Sequence, residues 1–346
     1  MAAFPLTRPI ARRKARQLFD LMAGFVYTQV LLACVRLEVF EKVAAEPKSV
    51  SSLAPLLGLT PEATQRLVDA AVSLDLLDRR GGGAIGLGEL GAALVADPGL
   101  KAMIEHHALL YADLADPVAL LRGEVTEPKV GRYWAYATSD APAGLQSGEV
   151  ASYSTLMSLS QTLIAGEVLD AYRIGRHRHL LDIGGGEGTF CLAAAERAPT
   201  LALTLFDLPP VADRARLRFE KGGIANRARA IGGSFFDDAL PTGADVASLV
   251  RVIYDHNDDA AMCILRAAHA ALPADGTLLL AEPMAGTPGA EPIGEAYFGF
   301  YLLAMQSGRA RRPEELAGML AAAGFRESRL VATRLPLQTR LIIARR

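Results

Sequence analysis

The sequence predicts an α/β protein with a helical N-terminal part and a Rossmann-like, seven-stranded sheet in its C-terminal half. From residue 178 onward there are seven short apolar runs. Helical segments separate the first five runs, as is typical of a parallel sheet covered on both faces. Only "LPLQ" lies between the last two runs, so we expect a hairpin with one antiparallel strand. Residues 10–45 and 100–172 have the apolar spacing of helices.

Three domains are expected: residues 1–100, a helical connector over 101–172, and the sheet domain over 173–346. The first resembles a winged helix-turn-helix that serves dimerisation. Thr60 as N-cap and Pro61 in the first turn indicate the start of its second helix. The following "DRRGGGAIGLGELG" places Gly81–Gly83 at the tip of the wing.

A winged helix raises the alternative of a ligand-sensing DNA-binding regulator. Its second helix would need basic residues to contact phosphates. Here that segment has one basic residue, Arg66, and three acidic residues, Glu62, Asp69 and Asp75, and the whole chain has a net charge of −2. Both observations favour a structural or dimerisation role without nucleic acid.

Cysteine and histidine usage indicates a reducing compartment and no metal centre. Cys34, Cys191 and Cys263 are scattered, and the six histidines form no H-E-x-x-H pattern. We therefore expect a cytoplasmic protein without a bound metal.

A basic arm precedes the first apolar segment; its residues are Arg8, Arg12, Arg13, Lys14 and Arg16. The segment itself, Leu21–Val35, has only fifteen uncharged residues, fewer than the roughly 18 that a membrane span needs. It also lacks a cleavage site of the secretory type. We expect a helix buried against other helices, including those of a second subunit. Contact between the basic arm and the inner face of a membrane is the alternative.

The connector holds apolar and aromatic residues that either form ordinary core or wall an apolar pocket. They are Tyr111, Trp134, Tyr136, Tyr153 and Met157. We include Tyr111, Met157 and the nearby Gln161 among the candidate substrate-pocket residues.

The strongest functional signal is the stretch "LLDIGGGEGTF", in which Asp182 ends an apolar run before Gly184, Gly186 and Gly188. It fails the dinucleotide pattern G-x-G-x-x-G, because Thr189 occupies the sixth position, and it lacks the lysine of a P-loop. A second apolar run ends in "FDLP", with Asp207 at its tip.

In a doubly wound sheet both strand tips face one crevice, where ligands bind. Asp207 is suited to accept hydrogen bonds from two ribose hydroxyls. The glycines let the backbone approach a ligand closely, and the helix N-terminus that follows favours a carboxylate. A ligand with a ribose and an amino-acid end but no phosphate fits S-adenosylmethionine, whereas the alternative is a glycine-rich turn that binds nothing.

The chain resembles class I S-adenosylmethionine-dependent O-methyltransferases of the caffeic acid and acetylserotonin methyltransferase type. The resemblance rests on "DIGGGEG", "FDLP", "GGSFF", "RVIYDHND" and "PEELAGMLAAAGF". It covers nearly the whole chain and makes 173–346 the cofactor-binding catalytic domain. It also implies a homodimer.

The resemblance implies specific contacts with the cofactor. The glycine loop, with Asp182 before it, would contact the methionine end, and the FDLP motif with Asp207 and Leu208 would contact the ribose. The adenine would lie at Gly233, Ser234 and Phe235, with Phe235 stacked on its face. Ser234 replaces the usual aspartate of the family. Arg251 matches a family position near the cofactor, although a surface arginine at a strand end is the simpler interpretation.

The catalytic motif departs from the family at Tyr254, where the family has its general-base histidine. A phenol with a pKa near 10 is a poor base at neutral pH. His256 lies two residues later, and Ala310 occupies the place of one acidic partner, whereas Glu282 matches the other. We expect Tyr254 to orient the acceptor and His256 or water to take the proton late.

Within the family, several segments resemble the pigment-pathway methyltransferases of phototrophic bacteria. This implies methylation of the tertiary hydroxyl of a linear 1-hydroxycarotenoid such as hydroxyneurosporene. Tyr297, Tyr301 and Met305 would wall a long hydrophobic pocket, although core packing explains their helical spacing equally well. The alternatives are a bacteriochlorophyll precursor, a phenolic or polyketide acceptor, and a catalytically inactive scaffold.

Overall fold

A computed structural model describes residues 8–134, 147–336 and 338–346. The chain divides into two compact units, with the boundary between Ala108 and Leu109. Tyr136 lies outside the described residues, and so does the side chain of Tyr153.

The N-terminal unit contains five helices and the first part of a sixth among its described residues: α1 Arg8–Arg36, α2 Val39–Ala44, α3 Val50–Leu57, α4 Pro61–Ser73, α5 Glu89–Ala96 and α6 Pro98–Asp113. A two-stranded antiparallel hairpin, β1 Leu77–Arg79 and β2 Ile85–Leu87, lies between α4 and α5. As predicted, the Thr60 hydroxyl caps α4 by accepting the N–H of Ala63 at 3.2 Å. Identification of this unit as a winged helix stays a prediction.

The single helix expected over residues 10–45 is interrupted. Glu38 adopts a left-handed conformation with φ of 53°, which ends α1 and starts α2. Only Leu32, Cys34 and Val35 of α1 are buried. Apolar side chains that are exposed on α1 are Ile10, Leu18, Phe19, Leu21, Met22, Phe25 and Val26. By length and composition α1 passes the test for a membrane span, as do many buried helices and signal sequences.

The C-terminal unit is built on a seven-stranded sheet in the order β5-β4-β3-β6-β7-β9-β8. The strands are β3 His179–Ile183, β4 Ala202–Asp207, β5 Ala228–Gly232, β6 Val246–Val250, β7 Thr277–Glu282, β8 Glu327–Val331 and β9 Arg340–Arg345. The first five are parallel, and β9 pairs antiparallel with both β7 and β8. The predicted hairpin is therefore confirmed.

Helices cover both faces of this sheet. The remaining described α-helices are α7 Pro117–Leu121, α8 Lys129–Tyr133, α9 Ser147–Ala171, α10 Thr189–Arg197, α11 Pro209–Lys221, α12 Asp258–Ala271, α13 Phe298–Met305 and α14 Pro313–Ala322. One apolar core joins the sheet to α9, α10 and α11, and a second joins it to α12 and α14. Side chains of β3 alternate between them, with Leu180 in the first and Leu181 and Ile183 in the second.

The strand order reverses next to β3. The chain continues from β3 to β4 and β5 on one side and returns to β6 on the other. In open α/β sheets such a reversal creates a crevice outside the carboxyl ends of the strands. The sequence motifs that predict a ligand site lie at these ends.

Candidate active site

A cleft of about 980 Å³, partly open to solvent, lies at the carboxyl ends of β3, β4, β5 and β6. The residues that line it are Trp134, Met157, Gln161, Gly184, Gly185, Gly186, Glu187, Thr189, Asp207, Leu208, Val211, Gly233, Ser234, Phe235, Phe236, Val250, Arg251, Val252, Asp255 and His256. It therefore brings together both strand tips, the GGSFF segment and part of the catalytic motif.

Three glycines of the loop after β3 have positive φ: 66° at Gly184, 59° at Gly186 and 82° at Gly188. A Cβ at Gly184 would lie 2.8 Å from the side chain of Val252, and one at Gly188 would lie 2.5 Å from the ring of Phe219. At Gly186 a Cβ would have no heavy atom within 4 Å. Packing thus requires glycine at two positions, whereas at Gly186 only the backbone conformation does.

Asp182 lies beneath this loop and does not line the cleft. Its Oδ1 accepts the Ser248 hydroxyl at 2.6 Å, and its Oδ2 accepts the Cys191 thiol at 3.6 Å. Burial raises the pKa of Asp182 to about 7. A Cβ at Gly185 would lie 2.5 Å from Oδ2. Asp182 therefore supports the loop from inside the core, and Gly188 is likewise absent from the wall of the cleft.

Asp207, at the end of β4, faces the cleft with acceptor capacity to spare. Its Oδ2 accepts the N–H of Gly186 and its Oδ1 accepts the N–H of Leu208, both at 2.7 Å. Burial raises the pKa of Asp207 to about 6. An ionised carboxylate has about four acceptor positions. Two positions therefore remain, as many as the hydroxyls of a ribose, and the residues present fit such a ligand.

The segment after β5 contributes two aromatic rings. Phe235 and Phe236 contact each other edge to face, with centroids 4.8 Å apart. The Ser234 hydroxyl accepts the N–H of Phe236 at 3.2 Å, while its own N–H donates to Asp238 at 2.9 Å. Ser234 therefore shapes the turn that presents both rings to the cleft. The sequence prediction included Phe235 but not Phe236.

The catalytic turn, defined here as Arg251–His256, follows β6. Arg251 has φ of 58°, unusual for a residue with a side chain. The His256 ring packs edge-on against Phe235 and Phe236, with centroids 5.5 and 5.6 Å away. Burial, and secondarily the charge of Arg311, lowers the pKa of His256 to about 4. The imidazole is thus neutral at physiological pH.

Tyr254 lies behind the wall of the cleft. Its hydroxyl accepts a hydrogen bond from Arg251 Nη2 at 3.4 Å, and its ring contacts Phe298 edge to face. Burial raises the pKa of Tyr254 above its ordinary value. Tyr254 is not among the residues that line the cleft, so the expected role of its hydroxyl in orienting the acceptor stays a prediction.

Glu282, at the end of β7, supports the same turn. Its Oε1 accepts the N–H groups of Val252 and Ile253 at 3.1 and 2.8 Å. Burial raises the pKa of Glu282 to about 8. Glu282 holds the backbone of the turn and does not line the cleft.

The candidate pocket residues divide into two groups. Met157 and Gln161 line the cleft, whereas Tyr111, Tyr297, Tyr301 and Met305 do not. Met305 is buried in the protein core, and Tyr301 accepts a hydrogen bond from Trp134 Nε1 at 2.6 Å. The helical spacing of Tyr297, Tyr301 and Met305 therefore reflects the packing of α13 and of the preceding π-helix, Pro292–Tyr297.

Several residues of the cleft wall were absent from the sequence prediction. Trp134 lies in the connector, where the sequence leaves core and pocket equally open, and Asp255 lies inside the motif RVIYDHND. Val250 and Val252 flank Arg251 at the end of a strand. Their position at the end of a strand could have predicted that they line the cleft, because the ends of parallel strands surround the crevice.

Two family models match the chain. An O-methyltransferase domain matches residues 111–326, and an O-methyltransferase dimerisation domain matches residues 19–97. The second match indicates a homodimer.

Named relatives cover nearly the whole chain. Demethylspheroidene O-methyltransferase of Cereibacter sphaeroides is 46% identical over 94% of this chain and 86% of its own. The protein of the same name from Rhodobacter capsulatus is 41% identical over 99% of this chain and 85% of its own length. Acetylserotonin O-methyltransferase of Mus musculus is 32% identical over 94% of this chain and 87% of its own length.

A solved structure shows the same fold. The mitomycin 7-O-methyltransferase superposes with a TM-score of 0.79 at 24% identity, over 98% of this chain and all of the other. The family models and the named relatives together identify the activity. The chain therefore belongs to the O-methyltransferase family, and it is an S-adenosylmethionine-dependent O-methyltransferase.

Proposed function

We propose that this enzyme methylates the tertiary hydroxyl of a linear 1-hydroxycarotenoid. The two bacterial relatives at 46% and 41% identity are named for demethylspheroidene, a carotenoid acceptor. The observation that carries the proposal is the buried, largely apolar setting of the catalytic turn, in which Tyr254 and His256 are only 6% and 8% exposed and the His256 ring packs against Phe235 and Phe236. With His256 uncharged and weakly basic and Tyr254 held as a neutral phenol, the site is suited to an alcohol that does not ionise beforehand.

We assign the cofactor contacts to residues of the cleft. Asp207 accepts hydrogen bonds from the ribose hydroxyls, and the backbone at Gly184 and Gly186 approaches the amino-acid end. Phe235 packs on the adenine. When bound, S-adenosylmethionine supplies a methyl group activated by a positively charged sulfur.

The chain's own residues then position the acceptor and remove its proton. We propose that Gln161 Oε1, to which no described residue donates, accepts a hydrogen bond from the acceptor hydroxyl. A tertiary alcohol is far less acidic than a phenol, so deprotonation before methyl transfer would need a strong base. Once the oxygen carries the methyl group it is strongly acidic. A ring nitrogen of neutral His256, or water, then suffices to take the proton.

The test is transfer of labelled methyl groups to candidate acceptors. We expect label on the ether oxygen of 1-hydroxyneurosporene. Label only on a bacteriochlorophyll precursor or a phenol would contradict the carotenoid proposal. Cofactor binding without transfer to any acceptor would indicate a scaffold.

We also propose a cytoplasmic protein whose basic arm contacts anionic membrane, where a carotenoid acceptor is dissolved. Arg12, Arg13, Lys14 and Arg16 precede the dimerisation-domain match, which starts at residue 19. Sedimentation with phosphatidylglycerol vesicles is expected to exceed that with phosphatidylcholine vesicles, and replacement of these four residues by glutamine should abolish the difference. Equal sedimentation with both lipids would contradict it.

A further inference from the structure

The segment Ser307–Arg311, called here the strap, holds the catalytic turn from behind. The Ser307 hydroxyl donates to the carbonyl of Asp255 at 2.6 Å. Gly308, with φ of 81°, approaches so closely that a Cβ would lie 2.2 Å from the carbonyl oxygen of Tyr254. The strap is thus fitted to the backbone of the turn at two consecutive residues.

Arg311 makes the most extensive contact of the strap. Its Nη1 donates to the carbonyl of Ile253 at 2.9 Å, and its Nη2 donates to the carbonyl of His256 at 2.7 Å. Its Nε and Nη2 also donate to Asp258 Oδ1 at 3.0 and 2.8 Å. The turn contains a short 3-10 helix, Ile253–Asp255. One guanidinium therefore joins the first residue of this helix and the residue that follows it to the first residue of α12.

Arg311 is only 2% exposed, and its side chain is among the largest that are fully buried in the described part of the chain. A buried cation is costly unless it is paired and fully hydrogen-bonded. Here the backbone carbonyls of the turn supply much of that compensation. Loss of the turn geometry would leave the cation poorly solvated, so the side chain favours one arrangement of the turn.

The turn needs such external support. It begins at Arg251 in a left-handed conformation, which persists only where the surroundings determine it. Glu282 holds its N–H groups from β7, and Arg311 holds its carbonyls from the strap. Support from both sides fixes the position of the His256 ring at the end of the turn.

We propose that Arg311 is a positioning residue for methyl transfer, which fixes the backbone of the catalytic turn and thereby holds the His256 ring in the wall of the cleft. The inference rests on the proposed role of His256. It concerns a residue that touches neither the cofactor nor the acceptor.

The titratable groups near His256 agree with this role. They are Asp255 on the turn, Glu282 behind it, Asp258 at the start of α12, and Arg311; of these, Glu282 is largely protonated at neutral pH because its pKa is about 8. After burial itself, the charge of Arg311 is what lowers the pKa of His256. The same guanidinium thus holds the backbone that carries the ring and, together with burial, keeps the ring uncharged.

Arg309 offers a matched control. It also bonds to Asp258, at 3.0 and 3.1 Å, and to Glu315, but its side chain is 43% exposed. In the first experiment, Arg311→Gln should lower kcat on the order of 100-fold, as expected for a misplaced catalytic group. The KM of the acceptor and the Kd of the cofactor should change less than about threefold, because their contacts lie on other segments. Arg309→Gln should resemble wild type.

Arg311→Lys keeps the charge but lacks the planar fork that reaches both carbonyls. It should therefore recover only part of kcat. If Arg311→Gln fails to fold, the lysine variant decides. A fall in kcat alone supports positioning, whereas parallel loss of kcat and cofactor affinity would show a general stabilising role and overturn the proposal.

The second experiment does not depend on activity. Among the six histidines, the Cε1 NMR signal of His256 is identified by its loss in His256→Gln. In Arg311→Gln this signal should shift and titrate at higher pH, and in Arg309→Gln it should not. An unchanged signal together with wild-type kcat would refute the proposal. If wild type itself methylates no acceptor, the proposed function fails, while the NMR comparison still decides the role of Arg311.

Discussion

The carboxylate of Asp207 accepts the backbone N–H of Gly186 across 2.7 Å, so the tip of β4 is bonded directly to the loop that follows β3. The N–H of Gly184 donates to the carbonyl of Phe206 at 2.8 Å and extends the pairing of the two strands. The glycine loop is thus held by the neighbouring strand before any ligand arrives. Such preorganisation reduces the entropy lost on binding.

The first prediction concerns cofactor affinity. Asp207→Ala should weaken binding of S-adenosylmethionine about 10- to 100-fold, the range for hydrogen bonds to a charged group. Because the pKa of Asp207 is about 6, wild-type affinity should also fall below that pH, where the carboxylate is protonated. Isothermal titration calorimetry measures both. Asp213→Ala, on the exposed side of α11, is the control, and equal affinities in the two variants would contradict the assignment.

The second prediction separates packing from conformation in the glycine loop. Gly188→Ala should destabilise the fold strongly, because its Cβ would meet the Phe219 ring. Gly186→Ala should lower the free energy of unfolding by only about 1–2 kcal/mol, the cost of a left-handed conformation for a residue with a Cβ. Its main effect should be weaker binding of the cofactor. Gly223→Ala, also at positive φ with open space around it, measures the conformational cost alone. Urea denaturation gives the comparison, and equal losses in Gly186→Ala and Gly188→Ala would show that the Phe219 contact is unimportant.

The third prediction concerns Gln161. Gln161→Met conserves volume but removes the carbonyl oxygen. It should raise the KM of the acceptor about three- to tenfold, the range for one neutral hydrogen bond. Leu163→Ala, exposed on the same helix, should leave KM unchanged. An unaltered KM in Gln161→Met would exclude contact with the acceptor hydroxyl.

The cofactor-binding end of the sheet was predictable because it is built from short, continuous segments of the sequence. A strand, a glycine loop and a second acidic strand tip are recognisable in sequence, and parallel pairing brings them together. The position of Asp182 was also readable in part. It lies inside β3, between Leu181 and Ile183, so alternation directs its side chain to the opposite face of the sheet from theirs. Its burial there removes it from the wall of the cleft.

The residues that sequence reasoning missed depend on contacts between distant segments. Trp134 and Tyr301 are 167 residues apart and are joined by a hydrogen bond. Trp134 lines the cleft, whereas Tyr301 is buried in the core. Arg311 gave no signal of burial, since arginines are mostly exposed. Only the folded turn provides the carbonyls that make its burial tolerable.

The fourth prediction addresses protonation during turnover. Because His256 has a pKa of about 4 and Tyr254 remains protonated, kcat at saturating cofactor should be flat between about pH 5 and 7. A histidine base with an ordinary pKa would instead give a limb near 6.5. Tyr254→Phe should lower kcat only about three- to tenfold, through loss of the contact with Arg251. A limb that disappears in His256→Gln would show that His256 acts as an early base, and unchanged turnover in Tyr254→Phe would remove Tyr254 from the mechanism.

The fifth prediction concerns the pH dependence of stability. The pKa of Glu282 is about 8 in the folded protein, against 4.5 as its ordinary value, and its Oε2 has no hydrogen-bond partner among the described residues. Between pH 4.5 and 8 the folded state holds a proton that the unfolded state has released, so this group's stabilising contribution falls as pH rises through that window. Glu282→Gln imitates the protonated carboxyl and retains the Oε1 that accepts two N–H groups. The variant should therefore be more stable than wild type at pH 8 and similar at pH 5. The exposed Glu314→Gln should follow wild type, and urea unfolding at the two pH values makes the comparison. If Glu282→Gln loses stability with rising pH as steeply as wild type does, the titrating group lies elsewhere in the fold.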